Sequence, residues 1–314
     1  MNYYYISGES ASLMNTLLPK EILFKLSSAQ SFDDALEILR GTSYESYLSS
    51  TNIDDALLIE KNNLLSFIKK ECEDKNVSNF FLLQIDYDNI ESVCKARSKG
   101  LAESTYLESS GLYDFDFISQ NIRQKNYQAF CNPFIEEMLN VYNQKSATCD
   151  IEPREFDYIF QNYKFKNLKA LFSKGLMKEL VYFLLDCENI SIVMRCASID
   201  EVQQNLITFG NLNFDKLTKI WQKDGDVFLE TGGVLEDLIR LSFASRTIKN
   251  LANFELLKRK KILEIISSYM HSGINESEFV FYVYSKLFEI ENLHLIFNLH
   301  RQNIGDRIKT RLIV

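Results

Sequence analysis

A short pattern appears three times in this chain: Asp86-Tyr87-Asp88-Asn89-Ile90, Asp186-Cys187-Glu188-Asn189-Ile190 and Glu289-Ile290-Glu291-Asn292-Leu293. Each copy reads acid, any residue, acid, Asn, then Ile or Leu. The three asparagines are 100 and 103 residues apart. A second marker keeps nearly the same period. Leu17-Leu18-Pro19, Gly111-Leu112-Tyr113 and Asn211-Leu212-Asn213 each open a helix-like stretch, with Leu17, Leu112 and Leu212 lying 72, 77 and 80 residues before the asparagines. Repetition at a fixed period marks one supersecondary unit used several times. Three helical repeats are therefore expected, at 1–105, 106–205 and 206–314.

The repeated segments have helical rather than strand periodicity. In the third copy Leu287, Ile290 and Phe297 follow Val283 at helical spacing, and Val280, Tyr284, Phe288, Leu295 and Leu299 widen the stripe. An apolar surface that broad requires burial on more than one side. Ser31 stands where an N-cap belongs, followed by Asp33 and Asp34, and Gly41 follows at the far end. Amphipathic runs from Asp54 to Lys70 and from Glu255 to Tyr269 read as further helices. With 3 prolines and 11 glycines in 314 residues, the turns that many short strands would need are missing. The expected fold class is all-α.

Charge narrows the possible partners. The net charge is -8, carried by residues 1–100 (-5) and 101–200 (-4), while residues 201–314 carry +1. Nucleic-acid binding needs a clustered cationic surface, so it is not expected. The densest basic cluster, Lys258-Arg259-Lys260-Lys261, reads as a solvated helix face, with contact to an acidic partner or lipid headgroups as the lesser alternative. No apolar run approaches the ~20 residues that cross a bilayer, and residues 1–5 lack the pattern of a signal peptide. Cys72, Cys94, Cys131, Cys149, Cys187 and Cys196 form no C-x-x-C pair and read as small buried hydrophobes in a reducing compartment. The expected location is cytoplasmic, with any membrane association made through partners.

Residues that would carry chemistry are sparse. There is no phosphate-binding glycine loop, and Gly232-Gly233 is an isolated pair. His271, His294 and His300 lack companions at metal-ligand spacing, so no metal and no cofactor are expected. Within each motif the two acids are two residues apart, which turns them ~200° from each other on a helix. They cannot flank one bond as a catalytic pair. The candidate residues Asp86, Asp88, Asn89, Asp186, Glu188, Asn189, Glu289, Glu291 and Asn292 therefore read as hydrogen-bonded scaffolding at a crowded junction. Trp221 and the aromatic residues read mainly as core.

The run Ser31-Phe32-Asp33-Asp34-Ala35-Leu36, the stretch Thr42-Ser43-Tyr44-Glu45-Ser46-Tyr47-Leu48, the segment Asp86 to Ile90, and the C-terminal Glu289 to Leu293 through Ile304-Gly305-Asp306-Arg307 to Val314 resemble one family. It is the central-stalk subunit of V/A-type rotary ATPases, called C in bacteria and d in eukaryotes. The chain departs from the family pattern at Glu291, where a basic residue is frequent, and at Gly8-Glu9, where an Arg is often found. The resemblance implies three similar helical subdomains in a pseudo-threefold, funnel-shaped arrangement, with no catalytic site. It also implies a rotor role, linking shaft subunits D and F to the membrane proteolipid ring during proton or sodium transport. The alternative is an unrelated helical-repeat adaptor that binds other proteins, against which the period of about one hundred residues counts. A helical enzyme with a hidden site is a third reading.

Overall fold

The computed structural model describes residues 3–49, 51–103, 111–148, 151–207, 209–222, 234–243, 249–271, 273 and 275–302. Among the described residues there are fifteen α-helices and no strand. They fall into two compact units. One joins Met1–Glu73 to Ser245–Val314, and the other is Asp74–Ala244. The sequence expectations for Cys149, Gly232-Gly233 and the C-terminal stretch from Ile304 onward lie outside the described residues, as does the Trp221 side chain.

In the first unit the central element is α15 (Ser277–Arg301). It packs against α1 (Tyr4–Met14), α2 (Lys20–Ser27), α3 (Phe32–Arg40), α5 (Ile53–Glu71) and α14 (Lys249–Tyr269). This explains its broad apolar surface: a helix covered on several sides has no polar face to display. Leu293, Ile296 and Phe297 share a core with Leu26, Leu39, Tyr44 and Leu57. Each such side chain contributes ~1.5–3 kcal/mol on leaving water. Local signals set the ends of the shorter helices. Ser31 Oγ accepts from the Asp34 amide at 3.1 Å and starts α3. Asn52 Oδ1 accepts from the Asp55 amide at 2.9 Å and starts α5, whose last turn carries Lys69 and Lys70 at the negative end of the helix dipole. Arg301 grips Asp54 with both guanidinium nitrogens, at 3.1 and 2.6 Å.

In the second unit α6 (Lys75–Ser98) packs against α7 (Phe115–Gln124) and α9 (Pro153–Leu171). The next helix of its type, α10 (Gly175–Arg195), packs against α9, α11 (Ile199–Asn205), α12 (Phe214–Gln222) and α13 (Val234–Phe243). Asp74 Oδ1 starts α6 by accepting from the Asn76 and Val77 amides. Pro153 occupies the first turn of α9, where its missing N–H costs nothing. α8 (Pro133–Thr148) closes on α9 through Tyr142, Phe156 and Phe160, with the two phenylalanine rings stacked 4.8 Å apart.

The cysteines depart from expectation in part. Cys72, Cys94 and Cys187 are buried, but Cys131 is exposed and Cys196 is half-buried. Cys131 follows the short turn Tyr127–Phe130 with φ 49°, a left-handed conformation outside any helix. Cys196 caps the end of α10, where the helix reaches the surface. The run expected as a helix from Glu255 begins earlier, at Lys249.

Candidate functional site

All three motifs lie within long helices, in α6, α10 and α15, and the two acids of each motif point different ways. The first acids, Asp86, Asp186 and Glu289, are buried. The second acids all pair with a cation. Asp88 meets Lys164 at 3.3 Å, Glu188 meets Arg195 at 3.1 Å and Glu291 meets Arg259 at 2.9 Å. Glu291 thus finds its cation on α14. Each triplet keeps its own partners.

The first acid performs one task in all three copies, accepting the backbone amide of the leucine in the second sequence marker. Asp86 Oδ2 takes the Leu112 amide at 2.8 Å, and its Oδ1 takes the Tyr113 amide at 3.2 Å. Asp186 Oδ1 takes the Leu212 amide at 3.0 Å. Glu289 Oε2 takes the Leu18 amide. In the first two copies the leucine is 26 residues after the acid, whereas in the third it is 271 residues before it. The marker therefore bonds to the motif of the preceding copy, and the last motif bonds to the marker nearest the N-terminus.

Glycine makes room for two of these bonds. A Cβ added at Gly111 would fall on Asp86 Oδ1 and within 2.5 Å of the Leu82 carbonyl oxygen. At Gly210 it would meet Asp186 Oδ1 and come within 2.5 Å of Leu185 Cδ2. Burial of the second carboxylate raises the Asp186 pKa to about 6, against the amide bonds from Leu212 and Asn211 that favour its charge. Asp186 Oδ2 has no hydrogen-bond partner. The Tyr113 hydroxyl is pushed up to about 12, first by burial and then by Asp86, and it donates to the Phe130 carbonyl at 2.5 Å.

The third bond is built differently. Tyr44 donates its hydroxyl to Glu289 Oε1 at 2.8 Å, and Lys286 Nζ reaches the same oxygen at 2.7 Å and Glu60 Oε1 at 2.6 Å. Burial lowers the Lys286 pKa, but Glu289 and Glu60 together more than offset this and hold it above its ordinary value. The Tyr44 hydroxyl is raised far out of its usual range by burial and then by Glu289. The ammonium is therefore charged and the phenol is a proton donor. Sequence reading did not find Lys286, Glu60, Tyr44 or the role of Gly210. The available signal was the position of Lys286, one helical turn before the motif acid.

The motif asparagines are buried as well. Asn189 is tied at both ends of its amide to one residue, donating Nδ2 to the Ile207 carbonyl at 2.9 Å and accepting the Ile207 amide at 2.9 Å. Such a two-point bond satisfies backbone groups just beyond the end of α11, which the helix does not pair.

A cavity of about 330 Å³ in the second unit is lined by Asp157, Tyr158, Glu188, Arg195, Cys196 and Asn205, among others. Its carboxylates have cationic partners, with Asp157 on Lys95 at 2.7 Å and Glu188 on Arg195. In the basic cluster Lys258, Arg259 and Lys261 pair with Glu255, Glu291 and Glu264, which favours the solvated-face reading over a lipid or acidic-partner contact. His300 is buried with Nε2 2.9 Å from the Leu26 carbonyl oxygen, while His294 is exposed and bonds Asn298 at 2.7 Å. Among the described residues no group of three or more His, Cys, Asp or Glu side chains could hold a metal ion. No described helix is long and apolar enough to cross a membrane.

The sequence model of the family described as ATP synthase (C/AC39) subunit matches residues 6–311. The chain belongs to that family. No individual curated protein matches it. As a C/AC39 subunit it is a component of V/A-type ATP synthases, and the match runs through all three motifs and their markers.

Proposed function

We propose that this C/AC39 subunit is the non-catalytic coupling piece of a V/A-type rotary ATPase. It joins the central shaft, subunits D and F, to the membrane proteolipid ring and carries torque between them. The observation that supports this reading is the family match over residues 6–311. The geometry is compatible with a mechanical role. The most buried acids are occupied by backbone amides, and the surface acids of the motifs by cations. Groups committed in this way are not available to a substrate. A torque carrier must instead resist shear, and buried charge-assisted hydrogen bonds do this better than apolar contacts alone because they have a fixed direction. Three copies, at 1–105, 106–205 and 206–314, would give the rotor three equivalent holds. The subunit would be peripheral at the membrane, held there by the complex.

The test is co-purification of the tagged chain from membranes of its host in mild detergent. The expected result is recovery of a very hydrophobic ring protein with two soluble shaft subunits. Recovery of an intact ATPase lacking this chain would overturn the coupling role and favour a helical adaptor.

A further inference from the structure

The sequence repeat and the contacts do not share boundaries. α6 packs against α7 and α9, which follow it, and its Asp86 takes the amides of Leu112 and Tyr113 just ahead of α7. α10 packs against α9, which precedes it, and against α11, α12 and α13, which follow it, and its Asp186 takes the Leu212 amide just ahead of α12. α15 packs against α14, which precedes it, and against α1, α2, α3 and α5, and its Glu289 takes the Leu18 amide just ahead of α2. In each case the motif helix binds the opening of the helices that come next. The compact units share one boundary with this pattern, between Glu73 and Asp74 immediately before α6, and the N-terminal stretch joins the C-terminal one; the other boundary, between Ala244 and Ser245, places α14 with α15.

We propose that the cooperative module of this chain is a motif helix together with the helices that follow it, closed by the bond from its first acid to a leucine amide. The modules are then α6 with α7 to α9, α10 with α11 to α13, and α15 with α1, α2, α3 and α5, while α14 packs on α15 from the side that precedes it. The last motif helix completes the first module, and Glu289 is the clasp between the two ends of the chain. Lys286, Glu60 and Tyr44 are the chemistry of that clasp. A bond spanning 271 residues gains nothing from chain proximity, so it carries more partners than the two 26-residue bonds. Residues 3–71 then lack their central helix until α15 is present.

Amide hydrogen exchange on the intact chain separates this scheme from modules that follow the sequence repeat. In Asp86→Ala, exchange should quicken about tenfold in α6, α7 and α9, the equivalent of one lost charge-assisted hydrogen bond. Amides of α3 and α5 should keep their wild-type rates. Joint quickening of α3 and α5 with α6 would overturn the proposal, because α6 would then belong with the helices before it. If Asp86→Ala does not fold, two full-length circular permutants decide, each joining Val314 to Met1 through the same long Gly/Ser linker. Opening the chain between 73 and 74 should leave the urea midpoint of the Asp74–Ala244 unit near wild type. Opening it between 105 and 106 makes the Asp86 to Leu112 bond non-local and should lower that midpoint. Equal midpoints, or the reverse order, would overturn the proposal.

Discussion

The Glu289 clasp and the Asp86 and Asp186 latches solve one problem with opposite chemistry. Each brings a buried carboxylate to a backbone amide. The two aspartates have short side chains, so the amide-bearing backbone must come to them, and glycine at 111 and 210 permits the approach. Glu289 has one more methylene and meets Leu18, which Leu17 precedes, so no glycine is needed there. The clasp is instead balanced by charge: Lys286 lies between Glu289 and Glu60, and Tyr44 donates from a third side. The latches depend on space and the clasp on neutralisation. Substitutions that alter only one of these should therefore act on one region and spare the other.

The largest effect is expected at the clasp. Lys286→Met keeps most of the volume but leaves Glu60 and Glu289 facing each other without a cation. Breaking a buried ion pair from one side costs ~3–5 kcal/mol. Urea unfolding should show the first unit melting early, and adding Glu60→Gln should recover part of the loss. A change that spared the first unit would mean that the lysine is dispensable and the comparison mistaken. Next in size is Gly111→Ala. The new methyl group meets a carboxylate oxygen and a helix carbonyl, neither of which can move without breaking its own bonds. Overpacking of this kind costs ~1–3 kcal/mol. Gly8, which unlike Gly111 lies inside a helix, has nothing within 4 Å of an added Cβ, and Gly8→Ala should gain up to ~1 kcal/mol from helix propensity. If the two alanine variants behaved alike, crowding at the latch would not be the reason for glycine there.

The all-helical class and the three motif helices were legible in the sequence. The acid-x-acid-Asn pattern placed three helices, and the leucine markers, read only as a second sign of the period, include the amides that those helices bind, Leu18 rather than Leu17 in the first. What periodicity could not supply was the pairing. It associated Leu112 with Asn189, the asparagine of its own copy, whereas the amide of Leu112 goes to Asp86 in the copy before. A hydrogen bond between a side chain and a distant amide leaves no periodic trace. Lys286 was hidden for a related reason: a lysine within a helix reads as solvated surface unless the facing helix is known. Here α5 supplies Glu60 opposite it. Capping, in contrast, is local, and Ser31 was found because its partner is only three residues away.

A smaller effect separates the two latches from each other by pH. The Asp186 pKa is raised by burial to about 6, above its value in the unfolded chain. The folded state thus binds this proton more tightly than the unfolded state does. The charged form carries a cost at neutral pH that is relieved as pH falls from about 6 toward the ordinary aspartate range near 4. Stability of the second unit should rise over that window by up to ~2–3 kcal/mol from this group. Asp186→Asn removes the titration. At neutral pH the lost charge cost is partly offset by an amide nitrogen placed where Oδ2 has no partner, leaving a net gain of ~1 kcal/mol. Urea midpoints of wild type and variant should therefore draw together as pH falls below about 6 and cross before about pH 4, with the wild type ending above the variant. A constant gap between them would show that Asp186 does not titrate there.

The smallest effect tests the division of labour within one motif. Asp88 is two residues from Asp86 on the same helix, but its side chain is half exposed and its partner is Lys164 at 3.3 Å. An ion pair in that setting contributes ~0–1 kcal/mol, reduced further by salt. Asp88→Asn should change the urea midpoint barely beyond error, and less still at high ionic strength. Asp86→Asn should cost more at any salt concentration, because its oxygens hold two backbone amides away from water. The helix thus sorts two identical carboxylates by angle alone, one into a buried amide site and one into solvent. If the two variants lost equal stability, the first acid would be no more than another surface charge, and the latch would have no basis.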